Sequence, residues 1–296
     1  MKKAFLLSLL SVLMPMSVLA DTADATDVNV PRELYFDIRR IGLEMSKTKV
    51  QNSEYYQKSA VQALTADSQD FIKGIADLAL EYHRGKFKWD NSLFMEYGKT
   101  TLKPYDEPST TNENADKILL SSDLSWACWK WGDFSFGPTI RGAYETEFVA
   151  SGDAPRQNLL RAGAGLSLFD HPIIKTLYLT SLYEYDFTYA HETVSKSGVE
   201  AGWRMEYKVR DGVKFTTNGY YREYLSYSNY YAMDLERDLN AVLRLDTNLW
   251  GNFTMGPYTQ YRLARARGVH KYGSNFIIGV SFNYIMRYNL LTPPTE

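Results

Sequence analysis

The stretch Val199-Glu200-Ala201-Gly202-Trp203-Arg204-Met205-Glu206-Tyr207-Lys208-Val209 decides the fold. Val199, Ala201, Trp203, Met205, Tyr207 and Val209 alternate with Glu200, Gly202, Arg204, Glu206 and Lys208. Side chains of an extended strand point to opposite faces in turn, so this period of two gives one apolar and one mostly charged face. The last segment repeats it, with Phe276, Ile278, Val280, Phe282, Tyr284 and Met286 set against Asn275, Gly279, Ser281, Asn283 and Arg287. Similar alternation runs near residues 71–82, 87–98, 116–128, 133–147, 158–168, 174–189, 213–225, 232–245 and 249–263. A less regular first strand covers Glu33 to Met45, and its parity breaks at Arg39-Arg40, which reads as a bulge. The total is about twelve strands, and an even number is the rule for bacterial single-chain barrels.

Strand length separates a membrane barrel from a soluble β protein. Soluble strands average about 5–6 residues, whereas a tilted membrane strand needs about 9–11. Most segments here meet the longer requirement. A lipocalin-like soluble barrel is the competing reading, but it would bury its apolar face inside and has room for fewer strands. Aromatic residues make up 15% of the chain, with 23 Tyr, while no apolar run after residue 20 is long enough for a helical span. The expected fold is therefore all-β, a transmembrane antiparallel up-and-down β-barrel.

The ends and connections place it. Lys2 and Lys3 precede an apolar stretch from Ala4 to Leu13, followed by Pro15 and then Val18-Leu19-Ala20. That is the layout of a cleaved secretory signal peptide. An uncleaved anchor is the alternative, but Pro15 and Ala20 cut the run below spanning length. The expected organisation is a signal peptide over 1–20, a short periplasmic segment over 21–32, the barrel over 33–290 and a periplasmic tail over 291–296. Connections alternate in length. The short set is His83 to Lys86, Lys130 to Gly132, Asp170 to Pro172, Arg210 to Gly212 and Asp246 to Leu249. The longer, polar set is Ser46 to Asp70, Thr100 to Ala115, Ala150 to Gln157, Ala190 to Lys196, Ser226 to Tyr230 and Ala264 to Lys271. Short periplasmic turns and long outer loops are the outer-membrane pattern, which puts both termini in the periplasm. The Ser46 to Asp70 loop is long enough to carry a short helix or to fold into the lumen.

Aromatic residues on the apolar parity gather near strand ends, as headgroup-level girdles require, with Trp126, Phe253 and Tyr284 at one end and Tyr97, Tyr185 and Tyr261 at the other. Trp131-Gly132-Asp133-Phe134-Ser135-Phe136-Gly137-Pro138 is echoed by Trp250-Gly251-Asn252-Phe253-Thr254-Met255-Gly256-Pro257, six strands later. The echo reads as two related half-barrels. Pro138 and Pro257 interrupt strands that should be paired on both sides, so a bulge or kink is expected at each.

The run Gly85-Lys86-Phe87-Lys88-Trp89-Asp90-Asn91-Ser92-Leu93, with Tyr97-Gly98, Ala115-Asp116-Lys117 and the closing Gly279-Val280-Ser281-Phe282-Asn283-Tyr284, resembles a domain-of-unknown-function family of outer-membrane barrels common in Bacteroidetes. The Trp- and Gly-rich opening usual in that family is missing, and Leu291 to Glu296 run past the terminal aromatic strand. The resemblance implies fold and location, and it implies no activity.

The charged parity supplies the candidate functional residues. Arg141, Arg161, Glu184, Asp186, Glu200, Arg204, Glu206, Arg222, Asp234, Glu236, Asp238, Arg244 and Arg262 are expected to line the lumen. Two readings compete: a polar channel for small solutes, and an ion-paired filling that rigidifies a plugged barrel. The acidic row Asp234, Glu236 and Asp238 would favour cations in an open channel, or neutralise nearby arginines in a closed one. The formal net charge of -2 gives no case for nucleic acid, and the single Cys128 excludes an intramolecular disulfide framework. Four His residues, none at metal-ligand spacing and none paired with an outward Ser, make a hydrolase the weaker reading. No cofactor or metal is expected, and the expected partners are outer-membrane lipids and small polar solutes. A narrow porin or channel is the leading expectation, and an interaction barrel whose outer loops bind a partner is the alternative.

Overall fold

The computed structural model describes residues 32–56, 59, 62–65, 70–102, 110–150, 155–169, 171–189, 191–229 and 234–291. The expected signal peptide, the segment 21–31 and the tail from residue 292 lie outside them. The described chain forms β1 (Arg32–Gln51), β2 (Asp70–Arg84), β3 (Phe87–Leu102), β4 (Thr110–Trp126), β5 (Trp129–Trp131), β6 (Phe134–Thr146) and β7 (Asn158–Phe169). It continues with β8 (Ile174–Asp186), β9 (Val194–Arg210), β10 (Val213–Tyr227), β11 (Leu235–Trp250), β12 (Phe253–Ala266) and β13 (Gly273–Leu291). Short β5 prolongs β4 along β6, so the staves number twelve. Each pairs antiparallel with its sequence neighbours, and β1 pairs with β13, which closes the ring.

The barrel is inside-out by the standard of a soluble protein. On β1, Leu43 and Met45 are 58% and 64% exposed, whereas Glu44 between them is 1% exposed. On β13, Ile278 and Val280 face outward while Ser281 and Asn283 are fully buried. An apolar exterior is stable in hydrocarbon, where a closed ladder also leaves no unpaired backbone edge. The fold is accordingly a transmembrane antiparallel β-barrel. Its exterior ends in aromatic clusters at the short-turn rim, where Trp250, Phe253, Phe282 and Tyr284 stack within 5.2–6.1 Å of one another, centre to centre.

Register places the first and last strands and corrects several boundaries. Arg32 pairs with Arg84 and Leu34 with Leu291, so β1 begins and β13 ends at the short-turn rim. β1 runs on to Gln51 rather than ending near Met45, with Lys47, Lys49 and Gln51 continuing its exposed face. Those polar outward residues hide the strand from a reading that expects lipid-facing side chains to be apolar. The turn expected over Asp246 to Leu249 lies instead at Gly251-Asn252. Asp246 is buried, bonded by Arg244 and Asn283, and Leu245 and Leu249 keep the outward parity, so β11 extends to Trp250. The echoed turns do match, with Gly132 at φ 57 and Gly251 at φ 51, a left-handed backbone that glycine accepts without strain.

The bulge at Arg39-Arg40 is present as a register shift against both neighbours, and it sends two successive guanidinium groups toward the interior. At Pro138 the irregularity sits in the facing stave, where β4 breaks at Ala127-Cys128 and resumes one residue out of step as β5. Pro257 brings no shift at all. The ladder with β11 skips Leu245 and Asp246 and resumes in the same register.

After β1, Tyr56 and a helical turn at Gln62–Thr65 lie in the loop-end mouth. Tyr56 and Leu64 are fully buried against Ala264 and Ala266. The Tyr56 hydroxyl donates to the Lys271 carbonyl at 2.7 Å, and the inward amide of Asn275 donates to the Ala63 carbonyl at 2.7 Å. Among the described residues no helix is long and apolar enough to cross a membrane.

Candidate functional site: a loop-end vestibule above a bridged lumen

Inward residues of the loop-end half surround a cavity of about 150 Å³. It has room for several waters or one small solute, since a cavity of that order accommodates a benzene-sized molecule. Of the sequence-predicted residues, Arg161, Glu184, Asp186, Arg222, Asp234, Asp238 and Arg262 line it, with Ser59 and Ala63 of the folded-in segment. Charges of opposite sign meet around its wall. Arg161 donates to Glu145 and Glu184, each at 2.6 Å, and Lys196 bridges Glu184 at 3.4 Å and Asp234 at 2.9 Å. Arg262 holds Asp238 through two bonds of 2.9 and 3.0 Å. These groups come from successive strands, because inward positions recur every second residue and the pleat brings them level.

A second set of contacts forms the floor. The Tyr178 hydroxyl donates to Glu200 at 2.6 Å, and Arg222 donates to the other oxygen of Glu200 at 2.5 Å. Arg141 lies 3.6 Å over the Tyr178 ring and pairs with Asp123 at 3.2 Å, while Arg222 lies 3.9 Å over Tyr220. Gly202 permits this stacking, since a Cβ there would meet the Tyr178 ring at 2.3 Å. Planar guanidinium groups stack on aromatic faces and still spend their N–H donors at the edge, so the layer is both packed and bonded.

Toward the short-turn end the lumen is bridged through Glu81, which is 4% exposed. Arg39 reaches it at 2.9 Å, Arg287 at 3.3 Å and Arg204 at 3.9 Å. Arg39 also bonds Asp90, and Arg287 lies 3.4 Å from Asp37. β9, which carries Arg204, and β2, which carries Glu81, stand on opposite sides of the ring with five staves between them either way. Glu206 lies 3.6 Å from Arg204 on the same strand and 3.4 Å from Lys214. Arg244 pairs with Asp246.

One candidate falls elsewhere. The expected row Asp234, Glu236 and Asp238 is broken by a register shift between Leu235 and Arg237. Leu235 and Asp238 border the cavity, whereas Glu236 bonds Arg265, whose ladder partner Arg237 bonds Glu223. Sequence reading also passed over Asp37, Arg39, Arg40, Glu44, Lys117 and Lys196. Arg40 pairs with Glu44, Lys73 with Glu44 and Glu96, and Lys117 with Glu145. A signal existed for two of them, since Lys117 shares parity with Asp123 and Lys196 with Glu200. Among the described residues no cluster of His, Cys, Asp and Glu could hold a metal ion.

Comparisons with known proteins add the following. Residues 66–150 match a family described as "Protein of unknown function (DUF3078)". No curated protein sequence matches. Among solved structures, the chain is similar to outer membrane phospholipase A from Escherichia coli at 12% identity and a TM-score of 0.43, over 89% of this chain and 95% of that one. It is similar to the outer membrane channel DcaP of Acinetobacter baumannii at 9% identity and TM-score 0.40, over 89% and 99%. The NanC porin follows at 15% identity and TM-score 0.38, over 81% and 98%. Likeness of this degree does not distinguish a channel from a phospholipase.

Proposed function

We propose that this barrel is a narrow channel for small polar solutes, set in the outer membrane with both termini and the short turns in the periplasm. The observation that carries the reading is the polar cavity of about 150 Å³ at the loop end, walled by charges of both signs. A stability element needs no such space, and a charged passage in a low-dielectric wall favours small polar solutes over apolar ones. Liposome swelling tests it. Vesicles containing the purified protein should swell faster than protein-free vesicles in small polar solutes, and no faster in bulky oligosaccharides. Swelling at the protein-free rate in every solute contradicts the proposal.

The second reading is an interaction barrel with a plugged lumen. It is favoured by Tyr56 and Leu64, which fill part of the mouth. It differs in giving a well-folded protein with no permeation. We assign no catalytic role. His171 stacks on Phe134 at 4.2 Å and its Nδ1 accepts the backbone N–H groups of Ile173 and Ile174, so it shapes its turn.

A further inference from the structure

We propose that Arg204 is the gate of the lumen, exchanging between Glu81 on the opposite wall and Glu206 on its own strand. This rests on the channel reading and names the residue that limits passage. Arg204 lies between the two carboxylates, with one guanidinium nitrogen 3.9 Å from Glu81 and another 3.6 Å from Glu206. Neither contact is a tight hydrogen bond, whereas Glu81 already holds Arg39 at 2.9 Å and Arg287 at 3.3 Å.

The three cations around Glu81 are not equivalent. Arg39 on β1 and Arg287 on β13 come from the same side of the ring as β2, so their pairs stay near the wall. Arg204 alone among them comes from the facing wall, so its pair lies across the passage. Swinging from Glu81 to Glu206 keeps the guanidinium beside a carboxylate throughout, which avoids leaving a charge unpaired in the interior. Arg39 and Arg287 continue to compensate Glu81 when Arg204 leaves. Two arrangements of similar energy, differing in whether a cation spans the lumen, are what a gate requires.

The two partners make opposite demands, and that supplies the test. Single-channel currents would be recorded from the purified full chain in planar bilayers, for the wild type, Arg204→Gln and Glu206→Gln. Arg204→Gln removes the spanning cation and should raise conductance or open probability several-fold. Glu206→Gln removes the alternative partner, biases Arg204 toward Glu81 and should lower both. Heat-modifiable gel mobility checks that each variant is folded. Currents from folded variants that match the wild type, or that change in the same direction in both, overturn the gate and leave the channel standing. Absence of current in all three overturns the channel reading and the gate with it.

Discussion

The two halves of the lumen use the same residue types to opposite ends. At the loop end, Glu145, Glu184, Asp234 and Asp238 pair with cations no more than two strands away on the same side of the ring, which lines the wall and leaves a cavity. At the short-turn end, Glu81 gathers cations from β1, β13 and β9, and the last of these crosses the lumen. Both halves are charged and both are paired. What separates a vestibule from a closure is whether the partners come from the same side of the ring. Counting charges along a strand does not show which; the ring position of the partner does.

The largest effect that would sharpen this comparison is at the hub. Glu81→Gln leaves Arg39, Arg204 and Arg287 without their shared counter-charge, and stranding buried cations costs about 3–5 kcal/mol. Asp37 and Asp90 remain to compensate in part, so the lower end of that range is expected. Denaturant unfolding in detergent micelles measures it, and a loss below about 1 kcal/mol would break the distinction between the hub and an ordinary surface pair.

An intermediate effect is expected at the floor between the halves. Gly202→Ala places a methyl group where the Tyr178 ring lies, and overpacking of this kind costs about 1–3 kcal/mol. Displacing Tyr178 also unseats Arg141 and loosens Glu200. The variant should therefore be less stable and have altered permeation together. Unchanged stability would show that the stacked layer does not separate the halves.

How much of this could be read beforehand follows from the same distinction. Alternation along β9 and β13 is local, so the fold, the faces and the bulge at Arg39-Arg40 were legible in the residues themselves. β1 beyond Met45 was not, because Lys47 and Lys49 stand where an apolar side chain would mark a lipid-facing strand. The turn at Gly251-Asn252 was misplaced because Asp246-Thr247-Asn248 has turn composition while its polar members point into the lumen. Its echo at Gly132 held the corrective signal. Glu236 was misassigned because one extra residue in the ladder reverses parity, and nothing in its neighbours marks the bulge. The pairing of Arg204 with Glu81 was beyond reach, since it depends on the stagger and closure of the whole ring.

The smallest effect belongs to the vestibule wall. Asp234→Asn leaves Lys196 with Glu184 at 3.4 Å, so stability should fall by less than about 1 kcal/mol. Any change should appear in ion preference, shifted away from cations, and it is read from reversal potentials in a salt gradient. A stability loss matching that of Glu81→Gln would erase the contrast between the two halves.

Thiol accessibility from one side tests the central claim most directly. In a Cys128→Ser background, a cysteine is placed at Asp238 in the vestibule or at Glu206 below the floor, and a membrane-impermeant reagent is added to the loop-end side of proteoliposomes. Both variants are calibrated for intrinsic reactivity in detergent, where either end is open. The vestibule-and-gate account predicts rapid labelling at 238 and labelling at 206 that is markedly slower than in detergent. Equal rates at the two positions, or a site at 238 that stays unlabelled, would contradict it.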